Sequence, residues 1–347
     1  MADKWGRDGS TLSLRLLILV AQSPSKILLL HAGGLGDCVL ALHFIAALRQ
    51  SWQYPPVTVA ARSSIIHWAK RHGLIDEARS IEAIGTHYLY QSFGELPEQI
   101  VQFLCGFDRV VSFLGGREET VSKRLAEVAP CEVYAIDPRP KQDHSIHIVR
   151  QWADQLRGYE VAVDLPSAIQ LDLGDRRMLR IRLSSRIDEN TAKIVLCHPG
   201  SGGLSKCCPL EALEALVTET RRQGLFPAWM IGPDEMERFG PEYARRLERT
   251  APVLSESIEL AADLVAGADV FIGNDAGMTH VAALAGVFTM ALFGPTDPAV
   301  WRPLGPNVHV CNLPSPLHLI EEWASTIVSL VNASVDNRSP VSAPCCS

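Results

Sequence analysis

Two apolar runs without polar alternation constrain this chain most. One starts at Lys26 (KILLLHAGG) and the other begins at Ala192 with KIVLCHPG, and each drives straight into glycines. A strand with one wet face alternates apolar and polar residues, whereas an unbroken run suits a parallel strand covered on both faces. Helical periods and further short apolar runs follow each of them. After the first come a helix over Cys38–Gln50, strands at Val57–Ala61, Asp108–Leu114 and Glu132–Ile136, and a helix from His144 to Leu156 closed by Gly158. After the second come helices over Pro209–Gln223, Glu235–Arg249 and Ile258–Ala266, with strands at Pro227–Ile231, Val270–Gly273 and Thr289–Phe293. Pro209 in a first turn and Gly224 just past an end mark one of these helices cleanly. A last helix is expected over Leu317–Val331.

Strands alternating with helices, twice over, predict an α/β protein of two doubly wound parallel-sheet domains. A length of 347 residues with 47% hydrophobic content supplies two cores. The expected organisation is an N-terminal extension (1–25), a first domain (26–163), an irregular linker (164–190), a second domain (191–315), a C-terminal helix (316–332) and a disordered tail (333–347). The linker carries Pro166, Gly174 and several arginines. In such sheets ligands bind beyond the carboxyl ends of the strands, and two facing domains can share one cleft.

Composition removes several function classes. A net charge of -7 argues against a general nucleic-acid binder. Nine cysteines without a CxxC suggest neither a disulfide framework nor a zinc site, which fits a reduced, cytoplasmic protein. The run Leu12–Val20 is too short to span a bilayer, and Arg15 inside it fits a signal peptide badly. It reads as an extra strand or short helix.

Four motifs carry the chemistry. In HAGGLGDCVLALHFIAAL, from His31, a strand ends and Gly33, Gly34 and Gly36 let the backbone turn and approach a ligand. Asp37 then stands at or near a helix N-cap, so it is either a capping residue or a general base above a glycine loop. The spacing is neither GxGxxG nor a P-loop. In HPGSGGLSKCCP, from His198, the loop amides around Ser201 and Gly202 together with Lys206 suit phosphate oxygens. The alternative is a flexible surface loop, and His198 reads as a hydrogen-bonded structural residue. In IGPDEMER, from Ile231, Asp234 reads as a helix cap, and Glu235 is a carboxylate able to accept from ribose hydroxyls. In NDAGMTHVAALAG, from Asn274, a polar turn opens a helix of small residues. Its start at Ala276, Gly277 and Met278 offers unpaired N–H groups to a diphosphate. His280 reads as a core or capping histidine rather than a catalyst, and GPTDP with Trp301-Arg302-Pro303 would line the cleft mouth.

These motifs, in this order, resemble glycosyltransferase family 9, the bacterial heptosyltransferase family of lipopolysaccharide core assembly. The matching elements are GGLGD with its helix, HPGSG followed by Lys and Pro, the Gly-x-x-Glu turn, and NDAGMTH with LFGPTDP and W-R-P, between about Lys26 and Val310. The resemblance implies the GT-B architecture, two Rossmann-like domains with acceptor on the first and nucleotide-sugar on the second. It implies inverting transfer from a nucleotide-diphospho-sugar, commonly ADP-heptose, with Asp37 as base and no obligatory cofactor or metal. On this likeness Ser201, Gly202, Lys206 and the amides of Ala276, Gly277 and Met278 hold the diphosphate. Glu235, Asp275 and His280 lie at the nucleoside or sugar. The expected partners are that donor and a glycan or glycolipid acceptor. Nucleic acid is not among them, and the chain is expected to be a monomer at the inner face of the inner membrane wherever the acceptor is lipid-linked. The chain departs from the family pattern at His31 (usually basic), Cys208 (usually tryptophan), Ala276 (usually a hydroxyl residue) and Met278. Two other functions fit the architecture. A nucleotide-sugar epimerase would need further acid–base residues in the cleft, and a non-catalytic nucleotide-sugar-binding protein would have no use for Asp37.

Overall fold

The computed structural model describes residues 25–336, except 92–93, 117–118, 142–145, 167–168, 170, 172, 190–191 and 314–318. Almost all of the N-terminal extension and the tail beyond 336 lie outside the described residues, as do the first residues of the helices expected from His144 and Leu317.

The first unit runs β1 (Ile27–His31), α1 (Leu35–Ser51), β2 (Val57–Ala61), α2 (Ile65–Arg71), β3 (Glu77–Ser80), α3 (Ile81–Ile84), α4 (Glu98–Leu104), β4 (Arg109–Ser112), α5 (Glu119–Val128), β5 (Glu132–Ala135) and α6 (Ile148–Leu156). Its five strands are parallel in the order β3-β2-β1-β4-β5. The unalternated run behaves as its composition demands, since β1 lies mid-sheet with all five residues buried. Helix α6 does not end at Gly158. Its C-cap is Arg157, a short 3-10 turn follows, and the left-handed residue is Glu160, at φ 60°.

Helix α7 (Arg176–Ile187) then precedes the second unit: β6 (Ile194–His198), α8 (Leu210–Arg222), β7 (Phe226–Ile231), α9 (Pro233–Glu248), β8 (Val253–Ser255), α10 (Ile258–Ala266), β9 (Val270–Asn274), α11 (Gly277–Leu284), β10 (Phe288–Phe293), α12 (Pro298–Trp301), β11 (Val308–Asn312) and α13 (Ile320–Asp336). Its six strands, all parallel, follow the order β11-β10-β9-β6-β7-β8. Three expectations are corrected. The arginine-rich stretch taken as irregular linker contains α7, capped by the Asp175 carboxylate, which accepts from the Arg177 N–H at 2.9 Å. The last helix runs past Asn332 through Asp336, into residues expected to be disordered tail. Pro209 is the N-cap of α8 rather than part of its first turn, because its ψ of 134° is extended.

The two units share buried apolar surface. Val39 and Leu42 of α1, Leu183 of α7 and Val281 and Leu284 of α11 belong to one continuous core. Helix α1 packs along α11, and α2 along α10. The contact is close enough that a Cβ at Gly277 would lie 2.6 Å from the Leu35 Cβ, so a side chain there would force the units apart. Asp263 of α10, buried in the same seam, accepts from Trp68 Nε1 at 3.0 Å and from Arg182 Nη1 at 2.7 Å. Arg71 lies 3.4 Å from the same carboxylate. Among the described residues no helix is long and apolar enough to cross a membrane.

Candidate active site

Both sheets present their strand ends to one cavity of about 480 Å³. One wall is the 34–37 turn of the first unit. The other is built from the loops after β6, β7 and β9 in the second.

At β9 the turn is rigidly wired. Asn274 is fully buried, and its Oδ1 accepts from the Cys208 N–H at 2.9 Å. Its Nδ2 donates to the Pro199 carbonyl at 2.9 Å, which ties the glycine loop to the strand. The Cys208 contact uses backbone only, so the loop holds its place without an aromatic side chain at that position. Asp275, buried, takes Lys206 Nζ at 2.8 Å and Thr296 Oγ1 at 2.7 Å on the same carboxylate oxygen. Its carbonyl accepts from Ser201 Oγ at 2.7 Å. The Ser201 hydroxyl is therefore committed to the backbone, and only its amide remains for a ligand. Ala276 is the N-cap of α11, and Gly277 and Met278 open it. All three line the cavity, and the first amides of a helix have no acceptor inside it.

At β7, Glu235 and not Asp234 is the cap. It is the third residue of α9, and its Oε2 accepts from the Gly232 N–H at 2.7 Å. Its Oε1 lies 3.8 Å from His198 Nε2, too long for a hydrogen bond. A Cβ on Gly200 would overlap the Glu235 carboxyl group, so the loop approaches this closely only with glycine there. Arg238 Nη1 donates to the Ser201 carbonyl at 2.9 Å and steadies the loop from behind. His198 is buried and kept neutral, since burial lowers its pKa more than nearby Glu235 raises it.

On the facing wall Gly34 is the N-cap of α1 and Asp37 its third residue. Burial raises the Asp37 pKa. A hydrogen bond from the Gly34 backbone and the Lys206 charge hold it down, and Asp275 pushes it up again. The carboxylate lies near the start of α1 and in the cavity wall, under the influence of charges from the opposite unit. Gly33 folds over it, since a Cβ there would sit 2.9 Å from the Asp37 Cβ and 2.7 Å from His31 Cε1. His31 supplies no positive charge: burial lowers its pKa to about 4, and its ring packs edge-on to Phe113 at 5.4 Å between centroids. His280 is buried between the units, with Cδ2 3.3 Å from where a Gly36 Cβ would be, and burial lowers its pKa to about 4.

Every residue assigned to catalysis or ligand binding from the sequence lines this cavity except Gly33, which packs behind Asp37; of GPTDP and Trp301-Arg302-Pro303, expected at its mouth, Trp301 alone does. Residues given no role there are Asn274, Thr296, Arg238 and Glu256. Asn274, Thr296 and Arg238 lay inside quoted motifs, but their work is hydrogen bonding across loops, which spacing does not reveal.

Two parallel-sheet α/β units around one cleft are the GT-B architecture. The model of glycosyltransferase family 9 (heptosyltransferase) matches residues 127–320, more than half of the sequence, and the chain belongs to that family. No curated protein sequence matches it. Among solved structures it is similar to Escherichia coli ADP-heptose LPS heptosyltransferase II, with a TM-score of 0.68 and 16% identity over 89% of this chain and 98% of that one. The glycosyltransferase family 9 protein of Veillonella parvula aligns with a TM-score of 0.66 and 16% identity over 91% and 98%. E. coli heptosyltransferase WaaC with ADP aligns with a TM-score of 0.60 and 16% identity over 89% and 99%. At these identities the likeness to the solved structures is one of fold.

Proposed function

We propose that the chain transfers a sugar, heptose or a close relative, from an ADP-type nucleotide-diphospho-sugar to a hydroxyl of a glycan or glycolipid acceptor, with inversion. Asp37 takes the proton from the acceptor hydroxyl. The acceptor oxygen forms its bond to the anomeric carbon as the bond to the diphosphate breaks, and the nucleoside diphosphate leaves with the electron pair. Lys206 and the amides of Ala276, Gly277 and Met278 meet the charge that develops on the leaving group. Glu235 faces the ribose. Its cap bond already engages Oε2, so the ribose would share that carboxylate. Asp275 orients Lys206. His280 packs between the units rather than handling protons, because burial keeps it neutral.

The observation that carries this reading is a half-buried carboxylate, Asp37, in the wall of the same cavity as a lysine and a helix start suited to a diphosphate. A raised pKa makes a carboxylate a stronger base, and the Gly34 backbone and the Lys206 charge oppose its protonation. An acceptor carried on a lipid would bring the chain to a membrane surface by its substrate alone.

Transfer from ADP-heptose to a lipopolysaccharide-core acceptor, followed as ADP release, tests the reading. Asp37→Ala should lose turnover by at least about 100-fold while still binding ADP. Full transfer activity in Asp37→Ala would remove that carboxylate from the reaction.

A further inference from the structure

We propose that Glu256 reads an amino group on the donor's nucleobase and so favours a base that presents one over a base that presents a carbonyl there. The inference rests on the reading of the cavity as a nucleoside-diphosphate site and extends it to the end farthest from the phosphates.

The order of strands in the second sheet supplies a ruler. Lys206 and the α11 start lie at the ends of β6 and β9, which are neighbours, Glu235 follows β7, and β8 is the edge beyond it. Neighbouring strands lie about 4.8 Å apart, so β9 to β8 spans roughly 14 Å. Along that line the ligand groups fall in covalent order, with diphosphate at β9 and β6, ribose at β7 and base at β8. The residue immediately after β8 is Glu256, and it lines the cavity with Met230, Ile258 and Ala261. Three apolar side chains and one carboxylate make a slot for a flat ring with one polar edge.

A carboxylate only accepts hydrogen bonds. Opposite the exocyclic amino group of adenine it gains a charge-assisted bond, and opposite a carbonyl edge it meets a second acceptor. Arg186 of α7 holds the group, with Nη1 3.2 Å from Glu256 Oε1, and so fixes its orientation. The Glu256 side chain is only 18% exposed, so its desolvation on ligand binding is small and its orientation is set beforehand.

The test compares ADP with purine-riboside diphosphate, which is ADP without its exocyclic amino group, by calorimetric titration of the full chain. The wild type should bind ADP about 10- to 100-fold more tightly. Glu256→Ala should bring the two within about threefold, and Glu256→Gln, which keeps an acceptor oxygen, should retain part of the preference. Lys206→Ala should weaken both ligands alike and leave their ratio intact. An unchanged ratio in Glu256→Ala overturns the role of Glu256 and leaves the diphosphate site standing. Undiminished binding of both ligands in Lys206→Ala overturns the diphosphate site instead.

Discussion

Replacing Lys206 with alanine separates the two tasks that the geometry gives it. The ammonium lies 2.8 Å from the buried Asp275 carboxylate and also acts on Asp37 across the cavity. With Asp37 and Asp275 ionised and Lys206 present, these three side chains sum to -1, and without the lysine to -2, before a negatively charged diphosphate arrives. The variant loses one hydrogen bond to a charged group, about 1.5–3 kcal/mol, which converts to a roughly 10- to 150-fold weaker Kd for ADP. Breaking a buried ion pair outright costs about 3–5 kcal/mol. The Lys206 side chain is 35% exposed, however, and Thr296 still donates to Asp275, so the ligand-free protein should lose only about 1–2 kcal/mol. Thermal melts with and without ADP therefore give a distinctive pair: a melting point a few degrees lower without ligand, and most of the ADP-induced stabilisation gone. The pH profile of turnover gives a second readout. Asp37 acts as a base only when ionised, so activity falls as pH drops through its pKa. Lys206 holds that pKa down, so its removal moves the acid limb to higher pH. An ADP affinity within threefold of wild type, with the acid limb unmoved, would refute the assignment of both tasks.

Asp263→Ala deprives Trp68 Nε1 of its acceptor and Arg182 of its partner, and should destabilise the chain by about 2–3 kcal/mol in urea unfolding, with a changed Trp68 environment in fluorescence. The figure stays below that for a fully buried pair because the Arg71 and Arg182 side chains are half-exposed. Acid should weaken the seam between the units. His43 and His280 are buried there with pKa values lowered to about 3 and about 4, chiefly by burial, while in the unfolded chain they titrate near 6.5. The unfolded state then binds more protons, so the stability these groups leave intact above about pH 6.5 is lost as pH falls toward 4, on the order of 3 kcal/mol each. His43→Leu should flatten the melting-temperature profile over that window, and an unchanged slope would contradict the account. Gly277→Ala should cost about 1–3 kcal/mol by pressing on Leu35, and Leu35→Ala in the same chain should recover part of it, as a double-mutant cycle of melts would show.

The fold was legible wherever composition and period agreed. β1, β2 and β6 are apolar runs in sheet interiors, and α10 begins at Ile258 and ends at Ala266 as its pattern predicts. It was not legible where charged residues are paired rather than solvated. The arginines of α7 resemble linker, yet Arg180 meets Asp269, Arg182 meets Asp263, Arg186 meets Glu256 and Arg176 donates to the Ala285 carbonyl at 2.5 Å. Each partner lies 77 or more residues from the nearest of these arginines in sequence except Glu256, at 70, so no local window contains the reason the helix forms. The edge strands β3, β8 and β11 failed for a related reason. EARS, VLS and VHVCN are short and mixed, and pairing along one side suffices to hold them.

The same distinction orders the candidate site. Glycines, Lys206 and the acids stand out in sequence because their types are uncommon in these patterns, and they are the groups that would meet phosphate and proton. The positions that could tell one donor from another are less visible. On the proposed reading Ala276, Gly277 and Met278 would offer phosphate their backbone amides, which every non-proline residue carries, so their identities say nothing about the sugar or the base. Discrimination has to come from side chains that differ in hydrogen-bonding sense, and beyond the phosphate loops the charged ones lining the cavity are Asp234 and Glu235 after β7 and Glu256 after β8. Glu235 is already engaged by the Gly232 N–H and, on the proposed reading, would face a ribose common to every ribonucleotide donor, and Asp234 is exposed beside it at the end of β7. That leaves Glu256 as the charged side chain placed to make the nucleobase matter, and it follows an edge strand whose three residues carry no pattern at all.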